Sequence, residues 1–202
     1  MKILLVFAHP DPESFCGRAR QLVVEEAAAC GHELRQHDLV VDGFNPVFSE
    51  YERIRHVGDL TAKLSHMPEL RTHVDDLQWC DTLVFVYPTW WSSQPAILKG
   101  WIDRVFMNDV AWTLPEGKAR LSPLLTNITR LIAITTHGSS KWINALQGEP
   151  GKRTLFRSIR LMMGLRTRST WIGVYGLDAM TDARDREKKL ESIRRKVRRI
   201  FS

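Results

Sequence analysis

The stretch TLVFVYPTWWSSQPAILKGWIDRVF, residues 82–106, joins an apolar run to a helical pattern through a loop that carries two tryptophans. Its first seven residues lack polar alternation, which is typical of a strand covered on both faces. Pro95 stands in the first turn of the segment that follows, as is common where a helix begins. The stretch therefore predicts a buried strand, a loop and a helix, which together form part of a βαβ unit.

The same alternation of strand and helix extends along the rest of the chain. Other predicted strands are KILLVFA (2–8), RLIAITT (130–136), STWIGVYG (169–176) and the more polar ELRQHDL (33–39), which suits an outer position. Helical patterns lie at about 14–30, 68–80, 95–107 and 153–164. Such alternation requires crossover connections, which give parallel sheets. We therefore expect an α/β fold with a doubly wound five-stranded parallel sheet and helices on both faces.

The 202 residues are enough for one core, and no Gly, Ser or Pro tract suggests a linker, so we expect a single domain. Residues 40–67 have little periodicity and form a less regular insert, a feature that in compact domains is usually functional. Residues 181–201 place apolar side chains at helical spacing opposite Arg and Lys, after a cap at Thr181 or Asp182. They predict a basic helix that docks on the domain.

The net charge of +6 is distributed unevenly along the chain. Residues 151–202 hold 15 Lys and Arg against 5 Asp and Glu, whereas residues 1–150 hold 14 against 18. Such a skew occurs in proteins that bind nucleic acid, anionic membranes or phosphorylated ligands, and also on ordinary solvated helix faces. The basic stripe lacks interleaved aromatic residues, so a nucleic-acid partner is not expected.

Cysteine usage and hydropathy indicate the compartment. Cys16, Cys30 and Cys80 are odd in number and widely spaced, which indicates neither disulfides nor a zinc site. The early apolar run at residues 3–8 is too short to span a membrane and is followed by no cleavage site. We therefore expect a cytoplasmic protein.

Ligands bind open parallel sheets at the carboxyl ends of the strands, so the loops after the three continuous runs form the candidate site. The first loop, AHPDPESFCGR (8–18), leads into a helix whose free N–H groups could hold a phosphate together with His9 and Ser14. On spacing alone, Ser14 could equally be an N-cap and His9 an edge histidine. No P-loop, dinucleotide fingerprint or nucleophile elbow is present, so a bound cofactor would carry the chemistry.

The other two loops are aromatic and polar. Trp90 and Trp91 could form a flat wall for an aromatic ligand, or could pack on a helix or a partner subunit. The last loop offers small polar groups and backbone amides that could bond a ring edge or an anion: Thr135, Thr136, His137 and Gly138. Because the three loops lie at one edge of one sheet, we expect them to converge on a single ligand.

Four segments together resemble the flavin-dependent NAD(P)H:quinone oxidoreductase family of flavodoxin-like fold. They are AHPDPESF (8–15), GFNPVFSEYER (43–53), YPTWWSSQPAILKGWIDRVF (87–106) and TTHG (135–138). The resemblance spans roughly residues 1–180 and is most specific in the first and third segments. It implies an enzyme that passes a hydride from NAD(P)H through a bound flavin to a quinone or similar acceptor, in two ping-pong half-reactions.

The resemblance also implies roles for positions of this chain. Around the flavin phosphate would lie His9, Ser14, Phe15 and Cys16. Along the flavin ring would run Pro88, Thr89, Trp90, Trp91 and Ser92, and its pyrimidine side would be bonded by Thr135, Thr136, His137 and Gly138. Members are homodimers in which the partner roofs each site, here with Val110, Ala111 and Trp112. The residues expected to act in catalysis are Trp91, Trp112 and His137.

Several positions depart from the family pattern. Cys16 stands where well-known members have an asparagine, and His137 stands where they have a second glycine. A tyrosine and a histidine that handle charge on the reduced flavin are missing from the loop SSKWINALQGEPG (139–151), where Pro150 falls near the histidine position. Hydride transfer needs no protein acid, so reductase activity is still expected, whereas quinone preference and rate do not follow.

The cofactor type and the partners stay open. The Ser14 and Phe15 variant of the phosphate loop slightly favours FAD over FMN, and the choice between NADH and NADPH does not follow from the sequence. The alternative function is a flavin-binding regulatory subunit of a membrane transporter, in which the helix at 181–201 would approach an anionic surface or an acidic partner. A one-electron flavodoxin carrier is less consistent with this basic chain, because such carriers are usually strongly acidic.

Overall fold

The computed structural model describes residues 1–117 and 119–202 and contains a five-stranded parallel sheet. Its strands are β1 (Lys2–Phe7), β2 (Glu33–Asp38), β3 (Thr82–Pro88), β6 (Arg130–Thr136) and β7 (Arg168–Val174), and a separate two-residue ribbon pairs β4 (Trp112–Thr113) with β5 (Ser122–Pro123). The strand order is β2-β1-β3-β6-β7, with every neighbouring pair parallel. The order reverses between β1 and β3, which defines the switch point of the sheet.

The burial of each strand follows from its place in the sheet. All seven residues of β3 are buried, as are the residues of β1 after Lys2, because helices cover both faces of these inner strands. The edge strand β2 is polar and largely exposed, as its sequence predicted. The predicted α/β class, with a doubly wound parallel sheet, is therefore confirmed.

Two helical layers enclose the sheet and divide the core. The long helices are α1 (Phe15–Ala29) and α8 (Ala183–Phe201) on one face, and α4 (Arg71–Trp79) and α5 (Ala96–Val105) on the other. The short helices are α2 (Glu50–Ile54), α3 (Leu60–His66), α6 (Lys141–Leu146) and α7 (Pro150–Arg153). None of the helices in the described ranges is long and apolar enough to cross a membrane.

The insert at 40–67 is more ordered than its sequence pattern indicated. It contains α2, which begins with a capping box between Ser49 and Glu52, and α3, which is capped by Asp59. The buried side chain of Glu52 also accepts a hydrogen bond from Arg104 Nε at 2.7 Å, which ties the insert to α5. The insert is therefore held against the second helical layer.

The predicted helix at 153–164 is wrong as a continuous element. The structure has the short helix α7, then one π-helical turn (Thr154–Ser158) and one 3₁₀ turn (Ile159–Met162). This segment joins the candidate site to the opposite edge of the sheet, and its changing pitch is typical of segments fitted to their packing partners.

The basic helix α8 follows its cap Asp182 and packs on α1. Arg198 Nε donates to Glu26 at 2.8 Å, and Arg194 bonds both Glu25 and Glu26. Glu26 is 1% exposed, and the hydrogen bond from Arg198 holds the pKa of its carboxyl below the usual range. Part of the positive charge of α8 is thus used within the chain.

Candidate functional site

The three loops predicted to form the site are in direct contact. Thr89 N–H donates to the carbonyl of Thr136 at 2.7 Å, and the hydroxyls of Thr89 and Thr135 lie 2.7 Å apart. Cys16 Sγ lies 3.3 Å from Thr136 Oγ1, which joins the first loop to the third. The loops after β1, β3 and β6 therefore form one continuous surface at the carboxyl edge of the sheet.

The first loop is a hydrogen-bonded turn that leads into helix α1. Ser14 Oγ accepts the N–H of Gly17 at 3.1 Å and donates to the carbonyl of Asp11, so the N-cap reading of Ser14 is correct. A Cβ on Gly17 would lie 1.7 Å from the carbonyl oxygen of Pro12, so this close approach requires glycine. The loop thus holds the positive end of a 15-residue helix at the sheet edge.

Two side chains of this loop are less available than their sequence positions suggested. Cys16 is 2% exposed, and burial raises the pKa of its thiol to about 11, so the group is a neutral thiol. His9 Nδ1 accepts the N–H of Asp11 at 2.9 Å, and its ring centroid lies 6.3 Å from that of Trp90. Phe15 packs into the core beneath α1. The loop therefore offers chiefly its backbone and the His9 ring.

The second loop is a tight turn that presents Trp91. Trp90 and Ser93 exchange both backbone hydrogen bonds, at 3.1 and 3.0 Å. The central residues Trp91 and Ser92 have φ of 48° and 62°, and left-handed values at both positions are those of a type I′ turn. Trp91 is fully exposed, and Trp90 is about half exposed. Both indoles therefore stand outside the core.

The third loop is built around a buried histidine. His137 is 4% exposed, and its Nδ1 donates to Asn144 Oδ1 at 2.7 Å. Its ring stacks on Tyr175, with centroids 4.3 Å apart and planes 16° apart. Burial lowers the pKa of His137, so the imidazole is neutral. The N–H of His137 donates to the carbonyl of Val174, and its carbonyl accepts the N–H of Leu177. The backbone and the ring of His137, predicted as catalytic, are therefore both engaged within the chain.

Sequence reasoning missed several residues that complete this edge. Asn144 belongs to α6, whose short apolar pattern gave no helical signal, and Gln147 accepts the hydroxyl of Ser92 at 2.7 Å. Tyr175 directly follows β7 and supplies a phenol beside the 139–151 loop, which itself has none. The predicted strand STWIGVYG (169–176) included Tyr175, so this residue was not among the predicted loop residues.

Trp112 lies away from the three loops. It belongs to the ribbon after α5, where its Nε1 donates to the carbonyl of Phe106 at 3.1 Å and its ring lies 5.2 Å from that of His56. Val110 and Ala111 beside it are buried. Within one chain Trp112 is thus held by the insert, and its predicted place over a partner's site remains a prediction.

The carboxyl edge of the sheet contains a small cavity that is lined by hydrogen-bond donors. The cavity has a volume of about 150 Å³ and is lined by Thr89, Trp91, Ser92, His137, Gly138, Ser139, Asn144 and Gln147. Hydroxyls and backbone amides suit the edge of a heteroaromatic ring, and the start of α1 suits a phosphate. The cavity is smaller than typical ligand pockets, so a bound ring would need a further surface to enclose it.

Comparison with known proteins agrees with this geometry. A family model described as flavodoxin-like fold matches residues 1–198. The ribosyldihydronicotinamide dehydrogenase [quinone] of Pongo abelii is 30% identical over 152 residues, which cover 69% of this chain and 65% of that protein. An uncharacterized NAD(P)H oxidoreductase of Escherichia coli, YcaK, is 34% identical, covering 59% of this chain and 61% of its own length. The chain thus spans under two thirds of these relatives.

Solved structures show the same fold over nearly the whole chain. Smu.1420 from Streptococcus mutans superposes with a TM-score of 0.82 at 27% identity, covering 98% of this chain and 100% of that one. The NAD(P)H:quinone oxidoreductase from Methanothermobacter marburgensis gives 0.77 at 23% identity, covering 98% of both. An FMN-dependent NADH-azoreductase from Bacillus anthracis, in complex with FMN, gives 0.76 at 17% identity, covering 100% of both. The chain therefore belongs to the flavodoxin-like family that contains the NAD(P)H:quinone oxidoreductases.

Proposed function

We propose that the protein is a flavin-dependent oxidoreductase that transfers a hydride from NAD(P)H to a quinone or similar acceptor. The observation that carries this proposal is the convergence of the loops after β1, β3 and β6 beside the switch point of the sheet. The names of the relatives agree with it, since they include quinone and NAD(P)H oxidoreductases. Nothing in the fold or in these relatives supports the alternative of a regulatory subunit on a membrane transporter.

The donor set fits a flavin, and we infer FMN. The start of α1, with the glycine-requiring turn at Gly17, suits a phosphate, and the hydroxyls of Thr89 and Ser139, which line the cavity, suit the heteroatoms of a ring. The preference for FAD drawn from Ser14 finds no support, because Ser14 caps the helix. The azoreductase with the same fold is an FMN complex, which also favours FMN.

The flavin, when bound, supplies the two-electron chemistry, and the protein supplies binding and orientation. Trp90 and Trp91 offer apolar faces on which a flat substrate can stack, which fixes its orientation and excludes water. The backbone amide of Gly138, in the turn after β6, would stabilise negative charge at the ring edge. Asn144 keeps this turn in place through His137.

We also propose that two copies of the chain share each site. Trp91 is exposed at the carboxyl edge of the sheet, while Leu121, Leu161 and Leu165 are exposed at the opposite edge, around a cavity of about 620 Å³. Trp112 pairs with Pro123, which lines that cavity. A two-fold dimer whose single interface includes parts of both surfaces would bury apolar area and bring the partner's ribbon over the tryptophans.

Three measurements test these proposals. The purified protein should be yellow or bind FMN on incubation, and mass analysis of the released cofactor should find FMN. A protein that binds neither FMN nor FAD contradicts the function. Sedimentation should show a dimer in the parent and a monomer in the double variant Leu161→Asp with Leu165→Asp, whereas a parent that is monomeric at all concentrations contradicts the shared site.

A further inference from the structure

Backbone strain is concentrated around the candidate site. Within the described ranges, four non-glycine residues have left-handed φ: Trp91, Ser92, Asp109 and Glu149. Such a conformation is unfavourable for a residue that carries a Cβ and persists only where the surroundings enforce it. Trp91, Ser92 and Glu149 lie in two segments that contact each other, the 90–93 turn and the segment 147–151. The question is what enforces the conformation of the turn.

The segment 147–151 supports the turn directly. Gly151 N–H donates to the carbonyl of Ser92 at 3.1 Å, and Ser92 Oγ donates to Gln147 Oε1 at 2.7 Å. Gln94, just after the turn, donates from Nε2 to the carbonyl of Gly151 at 2.8 Å. A Cβ on Gly151 would lie 3.0 Å from the Cα of Ser93, so the two backbones are in close contact. The turn therefore rests on this segment.

Glu149 holds the segment 147–151 in place. Its Oε1 accepts the hydroxyl of Tyr175 at 2.9 Å, and its Oε2 accepts Lys152 Nζ at 2.9 Å. Burial alone would raise the pKa of Glu149, but the hydrogen bonds from Lys152 and Tyr175 lower it, so the carboxylate is ionised at neutral pH. Tyr175 is itself anchored, because its hydroxyl accepts Trp171 Nε1 at 3.1 Å and its ring stacks on His137.

We propose that Glu149 is a positioning residue for the acceptor slot: by linking Tyr175 and Lys152 it holds the segment 147–151, and so the 90–93 turn, in the conformation that presents Trp91. The inference rests on the proposed function, because it assigns the held tryptophan to the wall on which the acceptor stacks. Glu149 acts through Trp91 and does not touch the substrate. Loss of the carboxylate should therefore weaken acceptor binding more than flavin binding.

The test compares Glu149→Ala, the milder Tyr175→Phe and the control Asp185→Ala in the holoenzyme. Asp185 forms an ion pair with Lys188 at 2.9 Å, three residues on, which matches the Glu149 and Lys152 pair in spacing and distance. Glu149→Ala should raise the KM for a soluble benzoquinone about tenfold, the loss expected for a hydrogen bond to a charged group. Tyr175→Phe should raise it less, and Asp185→Ala should leave it unchanged.

A double variant separates positioning from general damage. In a Trp91→Ala background, Glu149→Ala should have no further effect on the quinone KM, because both changes remove the same wall. A KM that Glu149→Ala leaves unchanged in the parent, or one that rises equally in both backgrounds, overturns the proposal. Should Glu149→Ala not fold, Tyr175→Phe in the two backgrounds gives the same decision.

Amide hydrogen exchange tests the support of the turn without any catalysis. Glu149→Ala should speed exchange in residues 90–94 and 147–151 about tenfold relative to the parent, with no change in α8. Unchanged exchange in residues 90–94 overturns the proposal even if the protein is a quinone reductase. Faster exchange in a protein that reduces no quinone would support the role of Glu149 in holding the turn and would count against the proposed function alone.

Discussion

Trp101 and Trp91 lie ten residues apart in the chain and have opposite environments. Trp101 is fully buried, its indole N–H donates to His73 Nδ1 at 3.1 Å, and Phe85 and Phe106 pack against its ring edges. Trp91 is fully exposed on a left-handed backbone. The first stabilises the fold through its apolar area, whereas the second is held in a strained conformation that exposes the same area to solvent.

The difference separates what the core requires from what a ligand or partner requires. A strained, exposed indole lowers the stability of the isolated chain, so its benefit must come from a molecule that covers it. The close turn at Gly17 shapes the start of α1. It too is a feature whose benefit comes from a bound molecule and not from the core. Substitutions at the buried tryptophan should therefore cost stability, whereas those at the exposed edge should chiefly cost binding.

Trp101→Ala should lower the free energy of unfolding by about 3–5 kcal/mol, because it leaves a large cavity between the sheet and α4. Trp91→Ala, which removes an equally large side chain, should change it by less than about 0.5 kcal/mol. Urea denaturation of the two variants checks the contrast. A large loss of stability in Trp91→Ala would mean that this indole is core after all.

Acid should destabilise the protein through His73, which accepts the hydrogen bond from the Trp101 indole. Burial, and then the charge of His37, lower the pKa of His73 to about 4. Between that value and the unfolded pKa near 6.5, the unfolded chain binds more protons, so stability falls as pH falls, by about 3 kcal/mol in total. Asp76 and Glu69 oppose this shift, and Arg104 adds to it.

Denaturation at a series of pH values measures this effect. His73→Gln keeps an acceptor for the indole but cannot titrate. The free energy of unfolding of this variant should therefore fall much less between pH 6.5 and 4 than that of the parent. A variant whose pH profile matches that of the parent would assign the acid sensitivity to other groups.

Gly17→Ala tests the exposed edge. The added methyl group would overlap the carbonyl of Pro12, and the loop must shift at a cost of about 1–3 kcal/mol. Because the shifted loop no longer presents the start of α1, flavin affinity should fall more than the stability does. Gly117→Ala is a control outside the site, since nothing lies within 4 Å of its added Cβ, although its φ of 71° adds backbone strain. Equal flavin affinity in Gly17→Ala and the parent would refute the predicted phosphate position.

Ser92→Gly should have a small effect of the opposite sign. Glycine adopts a φ of 62° without penalty, so the free energy of unfolding should rise by about 1 kcal/mol. Thermal unfolding checks this expectation, and Ser93→Gly, at a position without left-handed backbone, should not stabilise the protein. A destabilised Ser92→Gly would show that the hydrogen bond from Ser92 to Gln147 outweighs the strain.

The sheet was predictable because burial leaves a simple pattern. The inner strands β1, β3 and β6 lie within one residue of the predicted runs, since continuous apolar residues have few other uses in a soluble chain. The three loops that follow them could be placed at one edge for the same reason. The capping box of Ser49 and Glu52 was also readable in the sequence, and it marks the helix that the insert prediction overlooked.

The supports of the site were not predictable. Tyr175 and Glu149 are 26 residues apart, and only the fold brings them together. The type I′ turn at Trp91 and Ser92 lacks the Asn and Gly that usually mark such turns, because tertiary contacts with Gly151 and Gln147 enforce it. The His137 imidazole was predicted as a catalytic group, but its pairing with Asn144 and Tyr175 requires contacts that no local pattern reveals.

An anaerobic titration of the FMN-loaded protein follows both half-reactions and the role of Trp91 in the second. One equivalent of NAD(P)H should bleach the flavin absorption, and one equivalent of a benzoquinone should restore it. In Trp91→Ala the flavin should still bind, while restoration by the quinone should slow by about tenfold, and Trp142→Ala, which removes another exposed indole, should behave like the parent. A flavin that NAD(P)H does not bleach, or a bleached flavin that quinone does not restore, would contradict hydride transfer through the flavin.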